Sequence, residues 1–170
     1  QAGWQEMGKF VADTANPVGA RARCLVILAE SGQPSQVRSV LAKAPDKPAL
    51  GSAVCEAMAK LLKDPNDKLQ GYAKAVLFDI ANDMDEAEKK KTLQLVADWA
   101  FSDLSPDDAA QRVVDKLSRR IRPDELEALG DAGIKGGEIM LSKGIEKDGV
   151  LTYLQMRGDN PEAHAAIVHG

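Results

Sequence analysis

The sequence predicts an all-α fold, either a multi-helix bundle or an irregular helical-repeat array of about ten short to medium antiparallel helices. Apolar residues recur at helical spacing, as in Leu69, Tyr72, Ala73, Val76 and Ile80, which share one face of a helix. No stretch alternates apolar and polar residues between hairpin turns, the pattern typical of strands. Proline and glycine separate the periodic stretches, as expected of helix boundaries.

Helix-start signals place the elements along the chain. Asn16-Pro17 predicts a cap followed by proline at the first helical position, and Ser105-Pro106 and Asn160-Pro161 repeat that pattern. Arg122-Pro123 also predicts a helix start, because proline moves the residue before it out of the helical region and acidic residues follow. Gly130 predicts the end of a helix. Short connections favour antiparallel neighbours. We expect helices near residues 3–15, 17–31, 35–43, 48–63, 67–83, 85–102, 106–120, 123–131, 136–143, 146–157 and 161–168.

The length predicts one helical domain over residues 1–170, because 170 residues can bury a sizeable core. The sequence starts at Gln1 rather than methionine, and we therefore expect it to be part of a longer chain. Glycine becomes frequent after Arg120, but no proline- or serine-rich linker separates the two parts. The residue patterns of tetratricopeptide and ankyrin units are absent, so no regular repeat is assigned.

The charge balance argues against nucleic-acid binding. The net charge is −4, and Arg119, Arg120 and Arg122 form only a short basic cluster. Residues 118–137, with the residues that continue the second helix, can be read as a helix-turn-helix. That second helix would present Lys135, Glu138 and Lys143, a poor recognition face.

Cysteine usage and hydropathy predict a soluble protein of the cytoplasm or another reducing compartment. Cys24 and Cys55 both fall inside apolar helical patterns, where free cysteine packs as a small hydrophobe. No apolar run approaches the roughly 20 residues of a membrane span. Secretion as an effector stays open, because a secreted protein can also lack disulfides.

No motif identifies catalysis, a metal or a cofactor. His164 and His169 are spaced too far apart for one helix face, and the acidic stretch 79–86 lacks the ligand order of a calcium loop. No nucleophile elbow is present. The 26 carboxylates leave a general acid-base pair open without selecting one. We therefore expect no metal and no cofactor, and we favour a protein that is not an enzyme.

One glycine-rich segment is a candidate anion site. Gly133, Lys135, Gly136 and Gly137 offer backbone N–H groups beside a positive side chain. The order of residues differs from a phosphate loop, and the alternative is a turn that lets two helices approach closely.

One cluster is a candidate protein-binding surface. Trp99 and Phe101 stand two residues apart on a predicted helix and therefore point to different faces, so one of them is expected off the core. Arg119, Arg120 and Arg122 follow, and tryptophan and arginine are enriched in binding hot spots. The alternative is that both aromatic side chains lie in a core between helices.

The pattern therefore favours a helical protein–protein interaction or scaffold domain that binds another protein or a second copy of itself. Two alternatives stay open: a small-molecule-binding or enzymatic domain with a pocket between helices, and a secreted bacterial effector or adaptor domain.

Overall fold

The computed structural model of the protein describes residues 2–101, 120–131, 133–134 and 138, and it confirms the all-helical class. Six helices lie between residues 2 and 101, and a short seventh follows. No residue within the described ranges is assigned to a strand. The helices are α1 (Ala2–Ala12), α2 (Val18–Glu30), α3 (Pro34–Leu41), α4 (Lys47–Leu61), α5 (Asp67–Ala81), α6 (Glu86–Phe101) and α7 (Pro123–Ala128).

The expected count of about ten helices is not matched by this part of the chain. The expected segments near 106–120 and beyond 138 lie outside the described residues, apart from the helical residue Arg120. The bounds of α2 to α6 lie within two residues of expectation, whereas α1 ends at Ala12 because Asp13 begins a turn instead of a fourth helical turn.

The chain divides into two compact units, Gln1–Thr92 and Leu93–Gly170, with the boundary inside α6. The single domain over residues 1–170 stays a prediction. None of the helices in the described ranges has the length and apolar character needed to cross a membrane.

The helices of the first unit form two layers. In one layer α1 contacts α3, and α3 contacts α5. In the other layer α2 contacts α4. Contacts of α2 with α1, α3 and α5, and of α4 with α3 and α5, join the layers. Each helix therefore packs against its neighbour in the chain and against the next helix but one, and α2 lies at the centre of the contacts.

Apolar side chains from all five helices fill the space between these layers. In α4, Leu50, Val54 and Met58 recur every four residues and are fully buried, as expected of an amphipathic helix. Other buried apolar side chains of the first unit include Val11, Leu25, Leu28, Val37, Val76, Leu77 and Ile80.

The helix ends follow local chemistry. The side chain of Asn66 caps α5 by accepting a hydrogen bond from the Lys68 N–H, 2.9 Å away. Gly32, with φ +87°, ends α2 in a Schellman turn, in which its N–H bonds to the Ala29 carbonyl and the next N–H bonds to Leu28. A Cβ at position 32 would lie 3.5 Å from the Tyr72 hydroxyl, and the positive φ is the main constraint that favours glycine there.

The predicted cap of α2 is wrong in detail. Pro17 has an extended backbone and occupies the cap position itself, and its carbonyl accepts from the Arg21 N–H. The Asn16 side chain turns back and donates to the Phe10 carbonyl at 3.0 Å. Asn16 therefore fixes the end of α1 instead of capping α2.

A buried arginine joins three helices. The Arg21 side chain is 1% exposed, and its Nε donates to the Val11 carbonyl of α1 at 2.6 Å. Its two terminal nitrogens donate to both carboxylate oxygens of Asp46, the residue that precedes α4, at 2.7 and 2.5 Å. These hydrogen bonds hold the pKa of Asp46 below its ordinary value, and they compensate a charge that would otherwise be buried without a partner.

A second arginine-carboxylate pair lies at the surface. Arg38 of α3 donates two hydrogen bonds to Asp83, which follows α5, at 2.8 and 2.7 Å. Both side chains are about half exposed, so solvent and salt weaken this pair.

We expect truncation of the core to cost far more than truncation of the surface. Leu50→Ala removes a fully buried side chain and lowers the free energy of unfolding by about 2–5 kcal/mol. The matched control, Ile27→Ala, removes a side chain that is 44% exposed and costs less than about 1 kcal/mol. Urea denaturation followed by circular dichroism measures both. Equal losses of unfolding free energy in the two variants would contradict the burial of Leu50 in the core.

We expect the Arg21–Asp46 pair to make stability depend on acid. The folded-state pKa of Asp46 is depressed, so its stabilisation is fully present above the ordinary value of 3.8 and is lost as pH falls through the folded pKa. The difference in unfolding free energy between wild type and Asp46→Asn should therefore shrink as the pH falls from about 5 to about 2.

Denaturation at several pH values checks this, with Asp83→Asn as the control. The Asp83 pKa is also lowered, by hydrogen bonds from Arg38, but the pair is exposed and its contribution should be smaller and sensitive to salt. A wild-type advantage over Asp46→Asn that stays constant with pH would contradict the assignment.

Candidate partner-binding site

The carboxyl-terminal half of α6 presents an apolar stripe at the surface. Val96, Ala97 and Ala100 are buried, and they define the inner face of the helix. Leu95 is 37% exposed, and Trp99, one turn further along the same face, is half-buried. Because Leu95 and Trp99 lie at the margin of the buried face, each keeps part of its side chain in contact with water.

Arg120 completes this stripe from a distant point in the sequence. Its guanidinium lies 5.7 Å from the centroid of the Trp99 ring, within cation–π range. Its Nη1 also donates to the Trp99 backbone carbonyl at 2.9 Å. The two contacts hold the Arg120 side chain against the indole and the backbone of Trp99. We name Leu95, Trp99 and Arg120 the α6 stripe.

Arg122 lies two residues further along and immediately precedes α7. Its backbone N–H donates to the Glu125 carboxylate at 2.9 Å, the reciprocal half of a capping box. The Arg122 side chain is 69% exposed, with its Nε 3.4 Å from the same carboxylate. The predicted helix start at Arg122-Pro123 is therefore confirmed, and the carboxylate that makes it is nearly buried.

Two of the five predicted partner-binding residues are thus brought into direct contact, Trp99 and Arg120. Phe101 is half-buried at the end of α6. The side chains of Trp99 and Phe101 are therefore both partly exposed. Arg119 lies outside the described residues. A role in binding stays a prediction for all five.

The predicted anion site lies mostly outside the described residues. Gly133 is helical and buried, and Lys135, Gly136 and Gly137 are not described. Gly130 has φ +61°, which confirms the predicted turn after α7 and explains glycine at that position. The anion site itself stays a prediction.

The surroundings of the Cys55 thiol oppose its activation. Cys24 and Cys55 are free and half-buried. Burial raises the pKa of Cys55, whose sulfur lies 4.0 Å from the Thr92 hydroxyl. That hydroxyl in turn donates to the Met84 sulfur at 3.2 Å. A raised pKa keeps Cys55 protonated near neutral pH, the opposite of what a nucleophile or metal ligand requires.

The acidic stretch after α5 has structural roles. Asp83 pairs with Arg38, and Asp85 accepts a hydrogen bond from the Glu88 N–H at 2.8 Å at the start of α6. Within the ranges that the structure describes, no group of three histidine, cysteine or acidic side chains could hold a metal ion.

Sequence reasoning missed Leu95. The residue opens the short apolar stretch Leu95-Val96-Ala97, in which burial is the simplest expectation for each member. A helical wheel of α6 sets Leu95 about 100° from Val96, since successive residues turn by that angle, and further from Ala97 and Ala100. The angular position of Leu95 on α6 therefore indicates, from sequence alone, an exposed leucine beside Trp99.

Comparisons with known proteins leave the site to be interpreted on its own geometry. No protein-family model matches the chain, and no curated protein or solved structure shows significant similarity to it.

We expect Arg120 to stabilise the second unit through Trp99. Arg120→Met removes the cation–π contact and the hydrogen bond to the Trp99 carbonyl, and should lower the free energy of unfolding by about 1–3 kcal/mol. Denaturation followed by Trp99 fluorescence, in a Trp4→Phe background, measures the loss. Arg122→Met is the control, because it leaves both contacts to Trp99 in place. The same loss in both variants would contradict the specific role of Arg120.

Proposed function

We propose that this protein is a helical protein–protein interaction or scaffold domain and that the α6 stripe, with the exposed Arg122 beside it in sequence, contacts its partner. The proposal rests on the packing of Arg120 on Trp99, one helical turn from the exposed Leu95. The partner is another protein or a second copy of this chain. Nucleic acid is disfavoured by the net charge of −4.

The chemistry of the stripe suits protein recognition. Tryptophan and arginine are among the side chains most enriched in binding hot spots, and a hot spot needs an apolar neighbour that excludes water. Leu95 offers that neighbour. Because the Arg120 guanidinium already packs on the indole of Trp99, binding should cost less side-chain entropy than at a tryptophan without such a contact.

The two alternatives gain no comparable support. A small-molecule or enzymatic site would be favoured by convergent polar groups with shifted pKa values in a cavity. The acidic groups with shifted pKa values in the described ranges, Asp46 and Asp83, each pair with an arginine that ties helices together. The effector alternative has no residue that argues for it. The free thiols support a reducing compartment, such as the cytoplasm.

We expect substitutions in the stripe to weaken partner binding without unfolding the domain. Leu95→Arg places a charge on a side chain that is 37% exposed, and Arg122→Glu reverses a charge that is 69% exposed. The partner is first captured from lysate, identified and purified. Calorimetry then measures its affinity for the wild-type protein and for each variant. Leu95→Arg should weaken binding by roughly tenfold or more.

Two variants on α2 serve as matched controls. Ile27→Arg alters a leucine-sized side chain of similar exposure, and Arg23→Glu reverses an arginine that is 65% exposed and has a weak ion pair of its own. Both should leave the affinity within about twofold, because surface changes away from a hot spot are nearly neutral. Equal losses in the stripe and control variants, or none in the stripe, would refute the proposed surface. A protein that binds no protein partner and stays monomeric would refute the function.

A further inference from the structure

Helix α1 contacts fewer neighbouring helices than the other four helices of the first unit. Of its described side chains, only Val11 is fully buried, and Phe10 is 37% exposed. The helix contacts α2 and α3 and is joined to α2 by the turn at residues 13–17. Its removal would leave the contacts among α2, α3, α4 and α5 intact.

Arg21 supplies the polar contact that fixes the carboxyl end of α1. Its Nε donates to the Val11 carbonyl at 2.6 Å, at the negative end of the α1 dipole, where a cation is favoured. Asp46 orients the guanidinium by accepting from both terminal nitrogens. Those two hydrogen bonds do not involve α1, so they survive if α1 departs, and water can replace the Val11 carbonyl at Nε.

We propose that α1 is a lid that opens as a unit from the rest of the first unit, and that the Arg21 guanidinium, held in place by Asp46, is its latch. Opening removes Val11 from its buried position and uncovers the sides of α2 and α3 that α1 contacts. The cost of opening is therefore less than the cost of unfolding all five helices, as is usual for a helix at the end of a packed array. The lid is a conformational device that does not depend on the α6 stripe.

Thiol labelling under native conditions tests the lid. Val11→Cys and Val54→Cys are made separately in a Cys24→Ser, Cys55→Ser background, because Val11 and Val54 are both fully buried and Val54 lies in α4. A small thiol reagent should label position 11 at least about tenfold faster than position 54, since local opening precedes global unfolding. Equal rates at the two positions would show that α1 opens only when the whole unit unfolds, and would overturn the proposal.

Arg21→Met tests the latch. Methionine keeps apolar volume but cannot donate to the Val11 carbonyl, and Asp46, 34% exposed, can be hydrated. Labelling at position 11 should accelerate by roughly 10- to 100-fold, the range expected for loss of a hydrogen bond from a charged donor. Labelling at position 54 should accelerate clearly less, because Arg21→Met also removes the Asp46 pair and lowers global stability but opens α1 in addition.

Arg38→Met is the matched control, because it removes a second bidentate pair that does not involve α1. It should leave the labelling rate at position 11 unchanged. Equal acceleration at the two cysteine positions by Arg21→Met, or none at position 11, would overturn the latch. If Arg21→Met fails to fold, the comparison of positions 11 and 54 without it still decides whether α1 opens alone.

Discussion

The first unit depends on one buried cation. Arg21 is closed to solvent, so its guanidinium needs every hydrogen bond that it makes, and those bonds determine where three helices meet. Arg21 of α2 keeps all three hydrogen bonds only if the carboxyl end of α1 and the start of α4 both lie beside it. Buried ion pairs often add little net stability compared with apolar side chains, but they tolerate few alternative arrangements. We therefore expect the pair to specify how the helices pack more than it strengthens their packing.

Around that point the packing is apolar and regular. The buried residues of α2, α4 and α5 lie at helical spacing, and the turn at Gly32 and the cap at Asn66 set where successive helices begin and end. Arg38 and Asp83 add an exposed tie between α3 and the end of α5. Apolar burial, local helix-end chemistry and one buried charge therefore act together, and each contributes at a different position.

Much of this could be predicted from the sequence because helices depend on local patterns. Periodic apolar residues and proline positions locate α2 to α6 within two residues, since a helix depends on neighbours three and four residues away. The Arg21–Asp46 pair could not be found that way, because its partners are 25 residues apart and nothing local marks them. Asn16 misled for a related reason: its side chain bonds to Phe10 across a turn instead of capping α2.

The candidate site shows the same division. Trp99 and the arginines were recognisable by residue type, but their contact joins positions 21 residues apart and required the fold. Photo-crosslinking with benzoylphenylalanine at position 95, and at position 27 for comparison, would test most directly whether the α6 stripe faces the partner. We expect position 95 to crosslink to the bound protein while position 27 does not. Crosslinks from position 27 alone would place the partner on α2 and contradict the proposed interface.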